Sequence, residues 1–352
     1  MTTKLKRMAP STRSSFITYA MVILVYALMQ GMLSGGALTS SMRGMLVPVC
    51  AYIVMAVSLN LTVGVMGELS LGHAGFMSVG AFTAVIAAAA LEGTITAGPV
   101  RLAVAMAVGG AAAGLVSLIV VVPVLRLRGD YLAIVTLAFG EIIKNIMNCV
   151  YVGMDAEGLH FGMSAAAVNL AADGEMLLQG PMGAVGISKL SSLSAGFLLI
   201  MVTLAVVLNF VHSRAGRAVM ALRDNRIAAE SVGISPARYK MMAFVTSAVL
   251  AGLAGGLYAM NFSSILAKKF DFNTSILVLV FVVLGGMGNI RGSIIAAAAL
   301  TILPELLRQF ADYRMLAYAV VLILVMLFTN NPALKAFFAR FKSGRSAGKE
   351  AA

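Results

Sequence analysis

Apolar residues come in long blocks along this chain, parted by short polar stretches. Ten blocks can be drawn, over about 16–34, 44–64, 71–91, 102–124, 131–152, 193–212, 241–262, 274–288, 292–307 and 315–329. Most approach the ~20 residues a helix needs to cross a hydrocarbon layer. The pattern predicts an all-α integral membrane protein: a polytopic bundle of about 8–10 transmembrane helices with broken or re-entrant segments. The blocks 274–288 and 292–307 are short and split by Asn289-Ile290-Arg291-Gly292. They predict either a tight hairpin or two half-helices lining a cavity, where irregular backbone is tolerated at membrane depth. Gly64, Gly67, Gly72, Gly75 and Gly80 suggest a second interruption, ahead of or within block 71–91. The stretches 64–80 and 285–292 are candidates for equivalent positions in two halves.

Composition agrees with the blocks. The chain has 352 residues, 60% hydrophobic and 11% charged, with mean hydropathy +0.96. Soluble domains hold about 25% charged residues. Cys50 and Cys149 lie in apolar runs, so no disulfide framework is expected, and no Cys/His spacing suits zinc. The net charge of +12 raises nucleic acid as a partner, but the basic residues gather in short loops, as the positive-inside rule expects. With the N-terminus inside, eighteen basic residues fall on inner segments and seven on outer ones. That places both termini in the cytoplasm, with an N-terminal tail over 1–15 and a basic tail over 330–352. The loop 153–192 then faces outward with Asp155, Glu157, Asp173 and Glu175 against Lys189. It reads as a flexible connector or as a cap that meets a partner. The first block is longer than the about 7–15-residue core of a cleaved signal peptide, so it reads as a retained span, although Ser34-Gly35-Gly36-Ala37 imitates a cleavage site.

Gly31/Gly35, Gly110/Gly114 and Gly252/Gly256 are small-xxx-small pairs that allow close helix approach. Glu141 and Lys144 lie mid-span, three residues apart, as a polar pathway lining or an internal ion pair. Glu305 and Arg308 read as a similar structural pair. Ser70 and His73, near the start of a span, are either pathway groups or structurally satisfied ones.

The polar loop 213–240 stands out between two apolar blocks. Arg217, Ala221, Asp224 and Ala228 fall on one helical stripe, Gly233 suits a helix stop, and Ser235-Pro236 suits a fresh start. The spacing predicts one short helix from Arg217 to about Val232. A soluble partner docking there is the leading reading. A basic helix lying on anionic membrane lipid is the competing one.

Here the residues resemble a known family. Ala228-Ala229-Glu230-x-x-Gly233 resembles the EAA-type cytoplasmic loop of ABC importer permeases. The longer stretch GRAVMALRDNRIAAESVGISPARYKMMAFVTSAVLAGLAGGLYA is similar to the branched-chain amino acid permeases. So are Gly67-Glu68-Leu69-Ser70-Leu71-Gly72-His73-Ala74-Gly75-Phe76, LRGDYLAIVTLAFGEIIKNIMN and VLGGMGNIRGSIIAAAALTILPELLR. The similarity spans about residues 44–329 and fits the larger of the two permease subunits. Two departures stand out: the loop reads AAE rather than EAA, and Gln179-Gly180-Pro181-Met182-Gly183 stands where the family often carries T-G-G-P-x-G.

The resemblance implies a permease domain over 16–329 in a bacterial inner membrane. It implies a second permease subunit, two ABC ATPase subunits and a periplasmic substrate-binding protein as partners. It assigns coupling to Arg217, Arg223, Asn225, Ala228, Ala229, Glu230 and Gly233. Ser70, Gly72, His73, Gly75, Glu141, Gly285 and Gly286 become pathway candidates. The cargo would be branched-chain or related hydrophobic amino acids, with urea or a short amide as the alternative. The chain lacks G-x-x-x-x-G-K-[ST], so no cofactor is expected on it; ATP and Mg belong to the partner ATPases. An ion-coupled secondary transporter would need acidic residues at span centres, where Glu141 is the one good candidate. A membrane enzyme would need clustered His, Asp or Glu, and His73, His160 and His212 are scattered.

Overall fold

The computed structural model describes residues 10–36, 39–124, 127, 129–155, 158–168, 170, 174–307 and a few single positions between 313 and 323. Residues 1–9, the tail 330–352, Arg126, Arg128, Arg308 and most of the block 315–329 lie outside the described residues. The chain divides into two compact units, Met1–Ala298 and Ala299–Ala352. The described part of the second is mainly the end of its first helix, through Leu306.

Eleven α-helices are described. They are α1 (Pro10–Ser34), α2 (Ser40–Asn60), α3 (His73–Ala90), α4 (Gly98–Val124), α5 (Asp130–Cys149), α6 (Leu193–His212), α7 (Arg214–Asp224), α8 (Arg226–Ser231), α9 (Pro236–Ala259), α10 (Phe272–Gly285) and α11 (Ile290–Leu306). Seven of them, α1 to α6 and α9, are long and apolar enough to cross a membrane. The shorter α10 and α11 follow one another through a tight hairpin bend, across which Gly285 packs on Gly292. The turn is Gly286–Asn289, just before the split read from the sequence. Gly286 and Gly288 take φ of 90° and 80° there, a left-handed backbone that only glycine adopts freely.

The centre of the bundle is a three-helix crossing of α3, α4 and α9. A Cβ on Gly80 would lie 2.2 Å from the Gly252 carbonyl oxygen, and one on Gly109 2.5 Å from that of Gly80. Gly252 in turn faces Ala113 of α4. Lipid tails are as apolar as the side chains, so close backbone approach replaces hydrophobic burial as the packing force. The pairs Gly110/Gly114 and Gly252/Gly256 take part in this crossing. Gly31/Gly35 does not: Gly31 faces nothing within 4 Å, and Gly35 meets only the carbonyl of Gly31. The apolar outer faces of α1 (Leu24, Leu28), α4 (Leu115, Ile119) and α6 (Leu198) stay exposed, as expected of helices turned toward lipid.

The stretch expected as a plain outer loop carries a small antiparallel sheet. Strands β1 (Tyr151–Asp155), β2 (Gly158–Gly162), β3 (Glu175–Gln179) and β4 (Ala184–Val185) are joined by β5 (Ser264–Ile265), which follows α9. The order is β2-β1-β3-β4-β5. Val152 faces Leu178 across the β1–β3 ladder, and both are buried. The sheet therefore lies at one end of α6 and α9, and the loop 213–240 lies at the other.

That loop differs from the expected single helix. It breaks at Asn225, with φ −152° and ψ 102°, into α7 and α8. Asn225 Oδ1 accepts the Ala228 N–H at 3.1 Å and caps α8. The stripe Arg217–Ala221–Asp224–Ala228 accordingly does not run through. Gly233 ends α8 at φ 85°, and Ile234 N–H closes onto the Ala229 carbonyl at 3.1 Å. Ser235 occupies the cap position before Pro236, but its hydroxyl makes no cap bond.

Candidate functional site

The bundle is interrupted where α2 ends. Asn60 leads into a π-helical turn, Leu61–Val65, followed by the irregular stretch 66–72 and then by α3. Gly67, at φ 76°, reverses the chain. Breaking a buried helix frees backbone groups that hydrocarbon cannot satisfy. Some are met by neighbouring backbone, as Glu68 N–H is by the Thr62 carbonyl at 3.3 Å, and others by side chains from other elements. Leu71 N–H donates to Thr136 Oγ1 at 3.1 Å, and Ala74 N–H donates to Ser275 Oγ at 3.1 Å. Asn60 serves the neighbouring hairpin: its Oδ1 accepts the Gly288 N–H at 2.8 Å, and its Nδ2 donates to Ser293 Oγ at 2.9 Å. The two glycine-rich stretches thus touch each other. A Cβ on Gly64 would lie 2.2 Å from the Gly288 nitrogen.

The pathway candidates surround this interruption, packed against protein. A Cβ on Gly72 would meet the Thr136 carbonyl oxygen at 2.0 Å, and one on Gly75 the Gly140 Cα at 3.0 Å. These glycines let α3 start directly against α5. His73 is buried, with Nε2 2.8 Å from Ser58 Oγ. Ser70 is buried, and its hydroxyl has no hydrogen-bond partner among the described residues. Glu141 pairs with Lys144 through Oε2, while Oε1 accepts the Phe272 N–H at 3.2 Å. The carboxylate thus ties α5 to the first residue of α10. Gly285 packs on Gly292 across the hairpin.

The coupling candidates are divided between the surface and the bundle. Ala228, Glu230 and Gly233 are exposed, and Glu230 pairs with Arg226 at 2.6 Å. Ala229 is buried beneath them. Ile227 and Val232 are 82% and 74% exposed, so α8 turns its apolar side chains away from the bundle. Arg217 reaches back to the His212 carbonyl at 2.9 Å, at the end of α6. Arg223 pairs with Asp224 at 2.9 Å on the surface and also reaches the bundle. Its Nη1 donates to the Gly64 carbonyl at 3.0 Å, and its stem lies over Gly67, whose Cβ would fall 2.4 Å from Arg223 Cγ. Lys240, in the first turns of α9, pairs with Glu68 of the irregular stretch. The sequence reading missed Asn60, Thr136, Glu68 and Lys240. The available signal was a polar residue inside an apolar run (Asn60, Thr136) and a lone acid beside a glycine (Glu68).

A loop helix with an outward apolar tip, joined at its base to a broken span, is an arrangement suited to passing movement from outside the bundle into it. Residues 41–329 match the family described as branched-chain amino acid transport system / permease component. The chain belongs to this family. It is 35% identical over 322 residues to the high-affinity branched-chain amino acid transport system permease protein LivM of Salmonella typhimurium, covering 85% of this chain and 72% of the relative. The Escherichia coli K12 protein of the same name is equally similar, at 35% identity over the same shares. A shorter similarity, 30% over 132 residues, links it to the fructose import permease protein FruG of Bifidobacterium longum, over 35% of this chain and 38% of that one. No solved structure matches. The family covers the interruption, the hairpin and the α7–α8 loop alike, and the chain is a multi-pass membrane permease subunit of an ABC import system.

Proposed function

We propose that this permease subunit carries branched-chain or related hydrophobic amino acids inward across a bacterial inner membrane. Its relatives of that name, and its 35% identity with them, support the cargo. The observation that carries the mechanism is the α7–α8 loop, with Ile227 and Val232 exposed at its tip. An ABC ATPase subunit takes this tip into a groove and hydrolyses Mg-bound ATP at its own site, with no nucleotide held by this chain. The loop is then cytoplasmic, both termini lie on its side, and the sheet end faces a periplasmic substrate-binding protein. A second permease subunit completes the path. Glu141 is engaged by Lys144 and by the Phe272 N–H, which disfavours a free proton carrier and with it an ion-coupled transporter.

Glu230→Lys removes the Arg226 partner and reverses charge at the tip. Gly233→Pro cannot reproduce φ 85°, because proline is locked near −65°. Both variants are expected to reach the membrane and lose most leucine uptake, and full uptake in both would sink the docking role. Cargo is read by testing the partner binding protein with leucine, isoleucine, valine and urea. Binding of urea alone would replace the amino-acid reading.

A further inference from the structure

Two contacts join the loop to the interrupted helix. Arg223, the second-last residue of α7, donates to the Gly64 carbonyl at 3.0 Å. Gly64 sits at the end of the π turn, where carbonyls have no following turn to accept from, so the guanidinium acts as a cap supplied by another element. Lys240, just past the loop, pairs with Glu68. Both side chains of that pair are shielded, at 12% and 16% exposure. The second oxygen, Glu68 Oε2, is buried with no hydrogen-bond partner among the described residues. A shielded carboxylate with one oxygen unmet depends on its cation, since removing one partner of such a pair leaves an uncompensated charge.

The contacts lie on either side of α8. One holds the start of the irregular stretch, at Gly64 and Gly67, and the other holds Glu68. The held stretch leads directly into Leu71, Gly72 and His73, which pack against α5 and α10 through Thr136, Gly140 and Ser275. Gly64 also touches Gly288 of the α10–α11 turn. A push on α8 can reach α3, α5 and the hairpin through these two points.

We propose that Arg223 and the Lys240–Glu68 pair form a two-point latch on residues 64–68, and that shifting this latch converts movement of the loop into rearrangement of the interrupted span. Both are positioning residues: they touch no cargo and no nucleotide. The inference rests on the reading of the loop as an ATPase docking site.

The test uses the full transporter, this chain with its partner subunits, in proteoliposomes with leucine as the probe. Leucine moved and ATP hydrolysed are measured together. Glu68→Gln and Lys240→Met are each expected to lower leucine moved per ATP about tenfold, within the usual span of coupling free energies, while the ATPase still co-purifies. The reversed pair, Glu68→Lys with Lys240→Glu, is expected to recover most of the ratio. Arg223→Ala is expected to lower it further when combined with either single variant. The ratio does not depend on how much protein inserts, so a loss of folding alone leaves it unmoved. An unchanged ratio in both single variants, or a reversed pair no better than the singles, overturns the latch. If the unaltered complex retains no ATPase, the docking reading fails and the latch with it. If the ATPase is retained and the ratio is unmoved, only the latch fails.

Discussion

At the loop end of the bundle, single polar side chains reach backbone groups or other side chains far away in sequence. Asn60 holds Gly288, Arg223 holds Gly64, Thr18 of α1 receives Arg291, and Glu68 meets Lys240. At the sheet end side chains also reach far, as Asn261 Nδ2 does to the Gly44 carbonyl at 3.2 Å, but a ladder of short strands closes the bundle there, and contacts within the ladder are local, such as His160 with Asp155 at 3.0 Å across the β1–β2 turn. A ladder shares its load over many equivalent bonds. The loop end rests on single contacts, the Gly288 N–H and the Gly64 carbonyl each meeting one distant side chain. Damage should therefore spread from the loop end and stay confined at the sheet end.

The largest expected break of this contrast is Gly64→Leu. Its Cβ would fall 2.0 Å from Asn60 Oδ1 and 2.2 Å from the Gly288 nitrogen, and backbone at that distance must move. Overpacking of this kind costs about 1–3 kcal/mol or more. Leucine uptake should disappear, and thermal unfolding in detergent should begin well below that of the parent. Asn60→Leu comes next. It strands the Gly288 N–H, at about 1–3 kcal/mol for a buried group left unmet, and leaves the Ser293 hydroxyl only the Asn289 carbonyl. Uptake per molecule should fall several-fold, and Asn60→Asp, which keeps the acceptor for Gly288, should lose less. His160→Gln at the sheet end is the smallest. Asp155 also accepts the Gly158 N–H at 3.1 Å and glutamine can still donate to it, so the cost should stay at about 1 kcal/mol, with uptake within error of the parent. A large loss of uptake there would erase the distinction between the two ends.

Much of this architecture was legible from local rules. Seven of the apolar blocks became helices long enough to span, the paired short blocks became two helices joined by a tight turn, and Gly233 stops a helix at positive φ. The candidate residues of the loop were legible too, through their resemblance to a permease family, although their division into outward and inward groups was not. Arg223 stood among the coupling candidates with nothing to indicate that it faces Gly64 rather than a partner. The sheet was hidden because its strands are two to five residues long and one of them lies beyond α9. The break at Asn225 was hidden because an arginine- and alanine-rich stretch favours helix throughout, and a single Asn cap overrode that preference.

Sequence alone therefore determined which segments leave water, because burial in a bilayer depends on apolar run length and little else. It also determined where the backbone must turn tightly, because glycine alone accepts the φ required at Gly67, Gly233, Gly286 and Gly288. Only the tertiary structure decided which freed backbone group meets which side chain. Gly64 and Arg223 are 159 residues apart, and Glu68 and Lys240 are 172 apart. No local preference encodes such a pairing. It follows from helices crossing at glycines and from a membrane interior in which a backbone group without a partner is costly.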